Sequence, residues 1–140
     1  MKKNKNDRSV PYAHTRSHHA NETAEDYVEA VGDIIEEIGR CRVQDLANHF
    51  NVSHVTVSRI VGRLQNEALL ETAPYQPITL TRKGQRLAEK VRKRHAVVFE
   101  FLVALGVDQR TAEIDSEGIE HHVSEKTLTA MKRFIKSQGT

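Results

Sequence analysis

The run EGIEHH contains three residues whose types and spacing suit metal binding. Glu117, Glu120 and His121 stand at positions i, i+3 and i+4, so on a helix their side chains project from one face. Carboxylate and imidazole groups at this spacing can chelate one divalent ion or two. His122 points about a third of a turn away from that face, and it is left outside the predicted site.

Three further candidate metal ligands lie elsewhere in the chain. Asp26 and Glu29 repeat the i, i+3 spacing, and His95 follows a basic cluster. Each has a simpler interpretation when it is taken alone. Asp26 can complete a capping box with Thr23, Glu29 can be a surface carboxylate, and His95 can be a helix histidine at the edge of the core. The residues alone leave this choice open.

The charges are segregated along the chain, although the net charge is only +2. Residues 40–94 contain eleven Lys or Arg and four acids, whereas residues 25–39 contain six acids and neither Lys nor Arg. Residues 95–125 contain seven acids and a single Arg or Lys, Arg110. The middle of the chain is therefore suited to phosphates and its flanks to cations, with solvated helix faces as the alternative.

The basic middle contains a helix-turn-helix pattern. A short amphipathic helix with Leu46 on its apolar side ends at Asn51, and Ser53 then caps a second helix. Two short helices joined by a tight polar turn are typical of this DNA-binding motif, although an ordinary helical hairpin has the same periodicity. The predicted apolar stripe of the second helix comprises Val57, Ile60, Val61 and Leu64.

The outward face of the second helix carries no acid that would repel phosphate, which favours double-stranded DNA as its partner. We interpret this helix as the recognition helix of the motif. The candidate DNA-binding residues are Ser53, His54, Val55, Thr56, Ser58, Arg59 and Arg63.

The remaining pattern predicts one hairpin among helices. Residues 70–73 and 78–80 are short strand-like runs around two prolines, which predicts a β-wing. Helices are expected from near Thr23 to about Ile38, with Gly39 as the stop, from Thr81 to Gly106, from roughly Asp108 to His122, and from Ser124 to about Ser137. The predicted stripe of the first of these helices comprises Tyr27, Val31, Ile34, Ile35 and Ile38.

The fold class is therefore mainly α with a small β-wing, in which a winged helix-turn-helix domain precedes a helical metal-binding and dimerisation domain. Residues 1–22 are expected to form a basic flexible arm, residues 23–82 the DNA-binding domain, and residues 83–140 the linking helix and the second domain. We expect a homodimer, with intrachain packing as the alternative use of the apolar residues. The predicted dimer core comprises Val97, Val98, Phe101, Leu102 and Leu105.

The sequence shows no sign of a membrane span or a secretory signal. No apolar run approaches the roughly 20 residues that a membrane span needs, and the polar N-terminus resembles no secretory signal. The expected location is the cytoplasm, with no membrane partner. The single cysteine, Cys41, cannot form an intramolecular disulfide and is interpreted as structural.

From Asp26 onward the chain resembles the manganese transport regulator branch of the diphtheria-toxin-repressor family. The motifs that carry the resemblance are DYVE, VSHVTVSRIVGRL, LTRKG after the wing, the pair Arg94-His95, and EGIEHHVS. The helix-turn-helix is shared with many regulators, whereas EGIEHHVS combined with RH and DYVE is specific. The resemblance covers roughly residues 23–137.

The resemblance implies a metal site and its ligands. Members of that branch bind metal through an acid pair on the first helix, a histidine on the linking helix, and a Glu-x-x-Glu-His set. The matching positions are Asp26, Glu29, His95, Glu117, Glu120 and His121. Four carboxylates and two imidazoles form a hard donor set suited to Mn(II), with one or two ions per subunit. Fe, Co, Zn and Cd are further candidate ions, because selectivity depends on geometry and supply as well as affinity.

The implied function is a manganese-responsive repressor of a manganese importer, which binds a palindromic operator and is not an enzyme. Without metal, the acids of the two sets are expected to repel one another and to leave the DNA-binding lobe mobile. Two alternatives are a metal-independent winged-helix regulator and a small binuclear-metal hydrolase. Against the hydrolase, the chain shows no Gly-rich loop and no evident nucleophile.

Overall fold

The computed structural model describes residues 10–138, and it describes side chains from residue 21 to residue 138. The helices are α1 (Val10–Ile38), α2 (Val43–Phe50), α3 (His54–Asn66), α4 (Arg82–Ala104), α5 (Gln109–Ile119) and α6 (Glu125–Gln138). The strands β1 (Leu70–Glu71) and β2 (Thr79–Leu80) form an antiparallel hairpin, and Glu120–His122 form a 3-10 turn after α5. The prediction of a mainly helical chain with a small wing is confirmed.

Helix α1 begins at Val10, much earlier than the predicted start near Thr23. Extending an existing helix costs far less than nucleating one, and Pro11 fits a first turn because its missing N–H has no partner there. Residues 10–22 of the predicted flexible arm are therefore helical. Residues 1–9, and the side chains of His14, His18 and His19, lie outside the described residues.

The chain divides into two compact units, and one of them comprises residues 24–93. This unit extends past the predicted boundary at residue 82, because Ala88 of α4 belongs to its core and Leu87 packs against that core. Tyr27 of α1 stacks on Phe50 of α2, with ring centroids 4.5 Å apart. At the end of α1, Ile38 is 59% exposed, so its place in the predicted apolar stripe is wrong.

The helix-turn-helix is confirmed in its local details. Asn51 ends α2 in the left-handed conformation with φ of 55°. The Ser53 hydroxyl accepts the backbone N–H of Thr56 at 3.1 Å and so caps α3. The four predicted stripe residues of α3 are its buried residues, namely Val57, Ile60, Val61 and Leu64.

The wing is shorter than predicted, with two residues in each strand. Leu70 pairs with Leu80, while Ile78 instead donates its backbone N–H to the carbonyl of Cys41 at 2.8 Å. Pro74 and Pro77 cannot donate to a ladder, so pairing stops near them. Cys41 is fully buried, which confirms its structural role, and burial raises the pKa of its thiol to about 12.

Thr81 fastens the wing to the start of α4. Its hydroxyl donates to the carbonyl of Ala68 at 2.6 Å and accepts the backbone N–H of Gly84 at 2.9 Å, so the predicted cap is confirmed. A Cβ atom at Gly84 would collide with the carbonyl oxygen of Leu69. Only glycine therefore allows α4 to start this close to the chain that precedes the wing.

Among the described residues, the other unit contains residues 10–23 and 94–138. Gly106, with φ of 102°, ends α4, and the N–H of Val107 bonds to the carbonyl of Leu102 at 3.0 Å in a Schellman motif. Asp108 caps α5 by accepting the N–H of Thr111 at 3.0 Å. Ser124 caps α6 as predicted.

The apolar residues of α4 differ in their burial. Val98 is fully buried within the chain, and Phe101 packs edge-to-face against Phe134 of α6 with ring centroids 5.4 Å apart. Both residues therefore support the intrachain alternative rather than the predicted dimer core. Leu105 and Val103 are exposed and remain accessible to a partner. Within the described residues, no helix is long and apolar enough to cross a membrane.

Candidate metal centre and DNA-binding surface

The start of α3 presents exposed polar side chains and one exposed arginine. Ser53, His54, Ser58 and Arg59 are exposed, and Val55 is 79% exposed. An apolar side chain this accessible on the face of a recognition helix suits contact with a thymine methyl group. The structure thus leaves these predicted DNA-binding side chains accessible.

Two of the predicted DNA-binding residues have structural contacts as well. Thr56 is half-buried, and its hydroxyl accepts that of Ser53 at 3.0 Å, so both hydroxyls belong to the cap of α3. The Arg63 side chain lies 3.9 Å from Glu67 and is also half-buried. Arg59 is the candidate with the greatest freedom to reach a base or a phosphate, because it is exposed and carries a long cationic side chain.

Some of the basic charge on α4 is compensated within the 24–93 unit. Arg92 lies 2.8 Å from Asp33 and 4.0 Å from Glu36, both on α1. The Lys83 ammonium donates to the carbonyl of Glu67 at 3.0 Å. These contacts hold the first half of α4 against the rest of the unit, although exposed ion pairs contribute only about 0–1 kcal/mol each.

His95 of α4 lies among carboxylates of α5 and of the turn that follows it. Its Nε2 atom is 3.0 Å from Glu113 Oε1, and its Nδ1 atom is 3.5 Å from Glu117 Oε1 and 4.0 Å from Glu120 Oε2. Candidate donor atoms of His95, Glu113 and Glu117 all lie within 4.8 Å of one another. Ligands of one ion, each about 2.0–2.6 Å from it, have separations of this size.

The predicted set of Glu117, Glu120 and His121 is divided by a change in the helix. The α-helix ends at Ile119, and a 3-10 turn carries Glu120 and His121, which tightens the backbone between Glu117 and the other two. The side chain of Glu117 is 52% exposed, whereas Glu120 and His121 are buried. The α-helix expected to reach His122 therefore ends at Ile119, while His95 Nδ1 still lies 3.5 Å from Glu117 and 4.0 Å from Glu120.

Burial of the Glu120 carboxylate is accompanied by a nearby cation. Burial lowers the pKa of Arg94, while the carboxylates of Glu120 and Glu125 act in the opposite direction by favouring its charged form. The side chain of His121 lies 3.3 Å from Glu120 through its Nε2 atom. The carboxylate of Glu120 and the imidazole of His121 are thus withdrawn from bulk water.

Asp26 and Glu29 lie on α1, in the 24–93 unit, and both are half-buried. Because α1 begins at Val10, Thr23 lies inside the helix and cannot be its N-cap. The capping-box interpretation of Asp26 is therefore wrong. His122, which the spacing placed outside the site, lies 3.1 Å from Glu22 through its Nε2 atom.

The sequence interpretation missed Glu113. The signal for it was present, since Glu113 and Glu117 stand at i and i+4 on α5 and so share a face. The sequence did not allow us to predict that α4, which carries His95, packs beside that face.

These features define a class of protein: a winged helix-turn-helix regulator with a carboxylate and imidazole site in its helical part. Comparison with known proteins agrees. A family model described as the iron dependent repressor N-terminal DNA binding domain matches residues 19–78, and one described as its metal binding and dimerisation domain matches residues 81–138. The chain belongs to the iron-dependent repressor family, and the predicted resemblance is confirmed.

Two relatives of similar sequence are both named MntR. The chain is 41% identical over 128 residues to the transcriptional regulator MntR of Escherichia coli O6:H1, which covers 91% of this chain and 83% of the relative. It is 37% identical over 112 residues to the HTH-type transcriptional regulator MntR of Bacillus velezensis, with 80% and 79% covered.

Solved structures show the same fold. A manganese-dependent transcriptional repressor in complex with manganese matches with a TM-score of 0.72 and 26% identity, covering 81% of this chain and 52% of that one. The manganese regulator SloR matches with a TM-score of 0.70 and 26% identity, covering 81% and 53%. This chain thus spans about half the length of those two structures.

Proposed function

We propose that this protein is a manganese-responsive repressor that binds a palindromic operator as a homodimer when it holds Mn(II). The observation that carries the proposal is the position of His95 beside Glu117 and the buried Glu120, in a chain 41% identical to a protein named MntR. Repression of a manganese importer in the cytoplasm is the role that this relationship favours.

The proposed ligands are Asp26, Glu29, His95, Glu117, Glu120 and His121. Asp26 and Glu29 belong to the same unit as the recognition helix, whereas the other four belong to the unit with α5. When bound, Mn(II) supplies positive charge that offsets the mutual repulsion of these carboxylates. Four carboxylates and two imidazoles suit Mn(II), and one or two ions per subunit are compatible with this number of donors. Fe, Co, Zn and Cd are secondary candidates.

The residues of the chain perform the regulation by their placement in two units. Without bound metal, the acids of α1 and the acids of α5 and its following turn are expected to repel one another. The spacing between the two recognition helices of the dimer is then not fixed. With the charge compensated, α3 is held so that two copies meet major grooves about 34–36 Å apart. A coupling of this kind typically amounts to about 1–3 kcal/mol, or roughly 5–150-fold in DNA affinity.

The DNA contact is assigned to α3, through Ser53, His54, Val55, Thr56, Ser58, Arg59 and Arg63. For the dimer contact we favour apolar residues of the unit that contains residues 94–138. Val103, Leu105 and Ile114 are exposed, and Val97 and Leu102 are half-buried. A groove of about 540 Å³ between α4 and α6 is lined in part by Val103 and Ile135. The family description of this part of the chain as a dimerisation domain supports this assignment.

The two alternatives are weakened by the family. A metal-independent regulator does not fit a chain that matches a metal-binding and dimerisation domain over residues 81–138. Family members and relatives are repressors rather than enzymes, so the hydrolase alternative is set aside.

The test is a titration of labelled operator DNA, from upstream of the protein's own gene, with and without buffered Mn²⁺. We expect Mn²⁺ to tighten binding by the wild type, and Asp26→Ala to lose most of that gain while it keeps the same helical signal. Glu37→Ala removes an exposed acid from the same helix and serves as the matched control. Wild-type affinity that is indifferent to Mn²⁺ would disprove the function, and a full response in Asp26→Ala would remove only Asp26 from the site.

A further inference from the structure

The two ring nitrogens of His95 meet different carboxylates. Nε2 lies 3.0 Å from Glu113 Oε1, which is hydrogen-bonding distance, whereas Nδ1 lies 3.5 Å from Glu117 Oε1 and 4.0 Å from Glu120 Oε2. The His95 side chain is only 19% exposed, so its ring sits largely out of water between these groups. The ring therefore separates one carboxylate from two others.

A neutral imidazole has one N–H group and one lone pair, and a metal requires the lone pair. If Nε2 carries the hydrogen and donates it to Glu113, the lone pair of Nδ1 points toward Glu117 and Glu120. Histidine ligands commonly donate their second ring nitrogen to a carboxylate, which fixes the tautomer and the ring orientation.

We propose that Glu113 is a positioning residue, which accepts the Nε2–H of His95 and so directs Nδ1 to the ion. This rests on the proposed function, in which His95, Glu117 and Glu120 are ligands. The backbone of Glu113 is held within α5, where its carbonyl also accepts the hydroxyl of the buried Ser116 at 3.0 Å, while the Glu113 side chain is 58% exposed.

A direct ligand role for Glu113 is the competing assignment, since its carboxylate belongs to the same group of neighbouring donors. In that case Nε2 would bind the ion beside Glu113, and the ring edge facing the buried Glu120 would be left without a metal contact. The positioning role uses both edges of the ring, which is why it is favoured.

The experiment compares Glu113→Ala, Glu113→Gln and the matched control Asp115→Asn, which changes an exposed acid on the same helix. Mn²⁺ affinity and stoichiometry are measured by competition with a fluorescent chelator. Long-range ¹H–¹⁵N spectra of the metal-free protein, at a pH where the imidazole is neutral, report which nitrogen of His95 carries hydrogen.

A positioning role predicts Nε2–H in the wild type and a mixture of tautomers in Glu113→Ala. It also predicts that Glu113→Ala weakens Mn²⁺ binding by about 10–100-fold at unchanged stoichiometry. Glu113→Gln should recover much of that affinity, because the amide oxygen can still accept the hydrogen bond. Asp115→Asn should match the wild type.

Three results would overturn the inference. Loss of an ion in Glu113→Ala would make Glu113 a ligand, and unchanged affinity would make it a surface residue. Equal losses in the Ala and Gln variants would show that the charge acts rather than the hydrogen bond. His95→Ala separates the two levels of the argument, because wild-type Mn²⁺ binding by that variant would refute the proposed ligand set itself.

Discussion

Replacement of Gly84 by alanine should destabilise the unit of residues 24–93, although alanine is normally the better helix former. A Cβ atom at this position would overlap the carbonyl oxygen of Leu69 and would also come within 3.3 Å of the Leu80 side chain. The obstacle is a backbone atom of a buried residue, so it cannot rotate away as a side chain would. Glycine is therefore expected here for steric reasons.

The structure also indicates why the backbone at Leu69 cannot shift easily. Its carbonyl accepts the backbone N–H of Thr81 at 3.2 Å and lies 3.2 Å from the Thr81 hydroxyl. Movement away from the new Cβ would weaken both hydrogen bonds as well as the packing of Leu69. Overpacking of this type costs about 1–3 kcal/mol, which exceeds the helix-propensity gain of at most about 1 kcal/mol.

Thermal unfolding followed by circular dichroism provides the assay, and Gly62→Ala provides the control. Gly62 lies within α3, and a Cβ atom there would meet nothing within 4 Å. We expect Gly62→Ala to raise the free energy of unfolding by about 0.5–1 kcal/mol and Gly84→Ala to lower it. Each kcal/mol corresponds to about 4–8 °C in a unit of 60–100 residues. A Gly84→Ala variant that melts at or above the wild-type temperature would refute the close approach of α4 to Leu69.

Two further predictions concern α3 and Cys41. Arg59→Ala should weaken operator binding by about 1–3 kcal/mol if Arg59 reads a base. If Arg59 contacts phosphate instead, the variant should bind all DNA more weakly and show a flatter salt dependence. An Arg59→Ala variant that binds specific and non-specific DNA as tightly as the wild type does would contradict both. Cys41, whose pKa is raised to about 12 by burial and secondarily by Asp45, should react with a thiol reagent only on unfolding. Because the unfolded thiol ionises first, this group should reduce stability as pH rises from about 9 to about 12, and rapid native labelling at neutral pH would contradict its burial.

The sequence was sufficient wherever a local interaction decides the structure. Ser53, Thr81 and Ser124 each accept a backbone N–H from the residue three positions further along, so the start of a helix could be predicted from a residue and its near neighbours. Gly106 ends α4 for a similarly local reason, because a positive φ suits glycine. The stripe of α3 was predictable because its four buried residues follow the helical period.

The sequence was insufficient where no local pattern marks the extent of an element, or where segments distant in the chain decide it. The start of α1 was missed because helix propagation through polar residues leaves no apolar stripe to recognise. The wing was predicted too long because Ile78 pairs with Cys41, a residue far away in sequence, rather than within the hairpin.

The candidate site shows the same division. Residue types and a resemblance were enough to propose Glu117, Glu120, His121 and His95 as ligands, because carboxylates and imidazoles have recognisable spacings. They were not enough to predict that α5 gives way to a 3-10 turn, or that Glu120 is buried while Glu117 is exposed. Nor could they place Glu113 at 3.0 Å from His95, since that distance depends on how α4 packs beside α5. Tertiary packing, rather than spacing along one helix, determines which carboxylate each ring nitrogen of His95 meets.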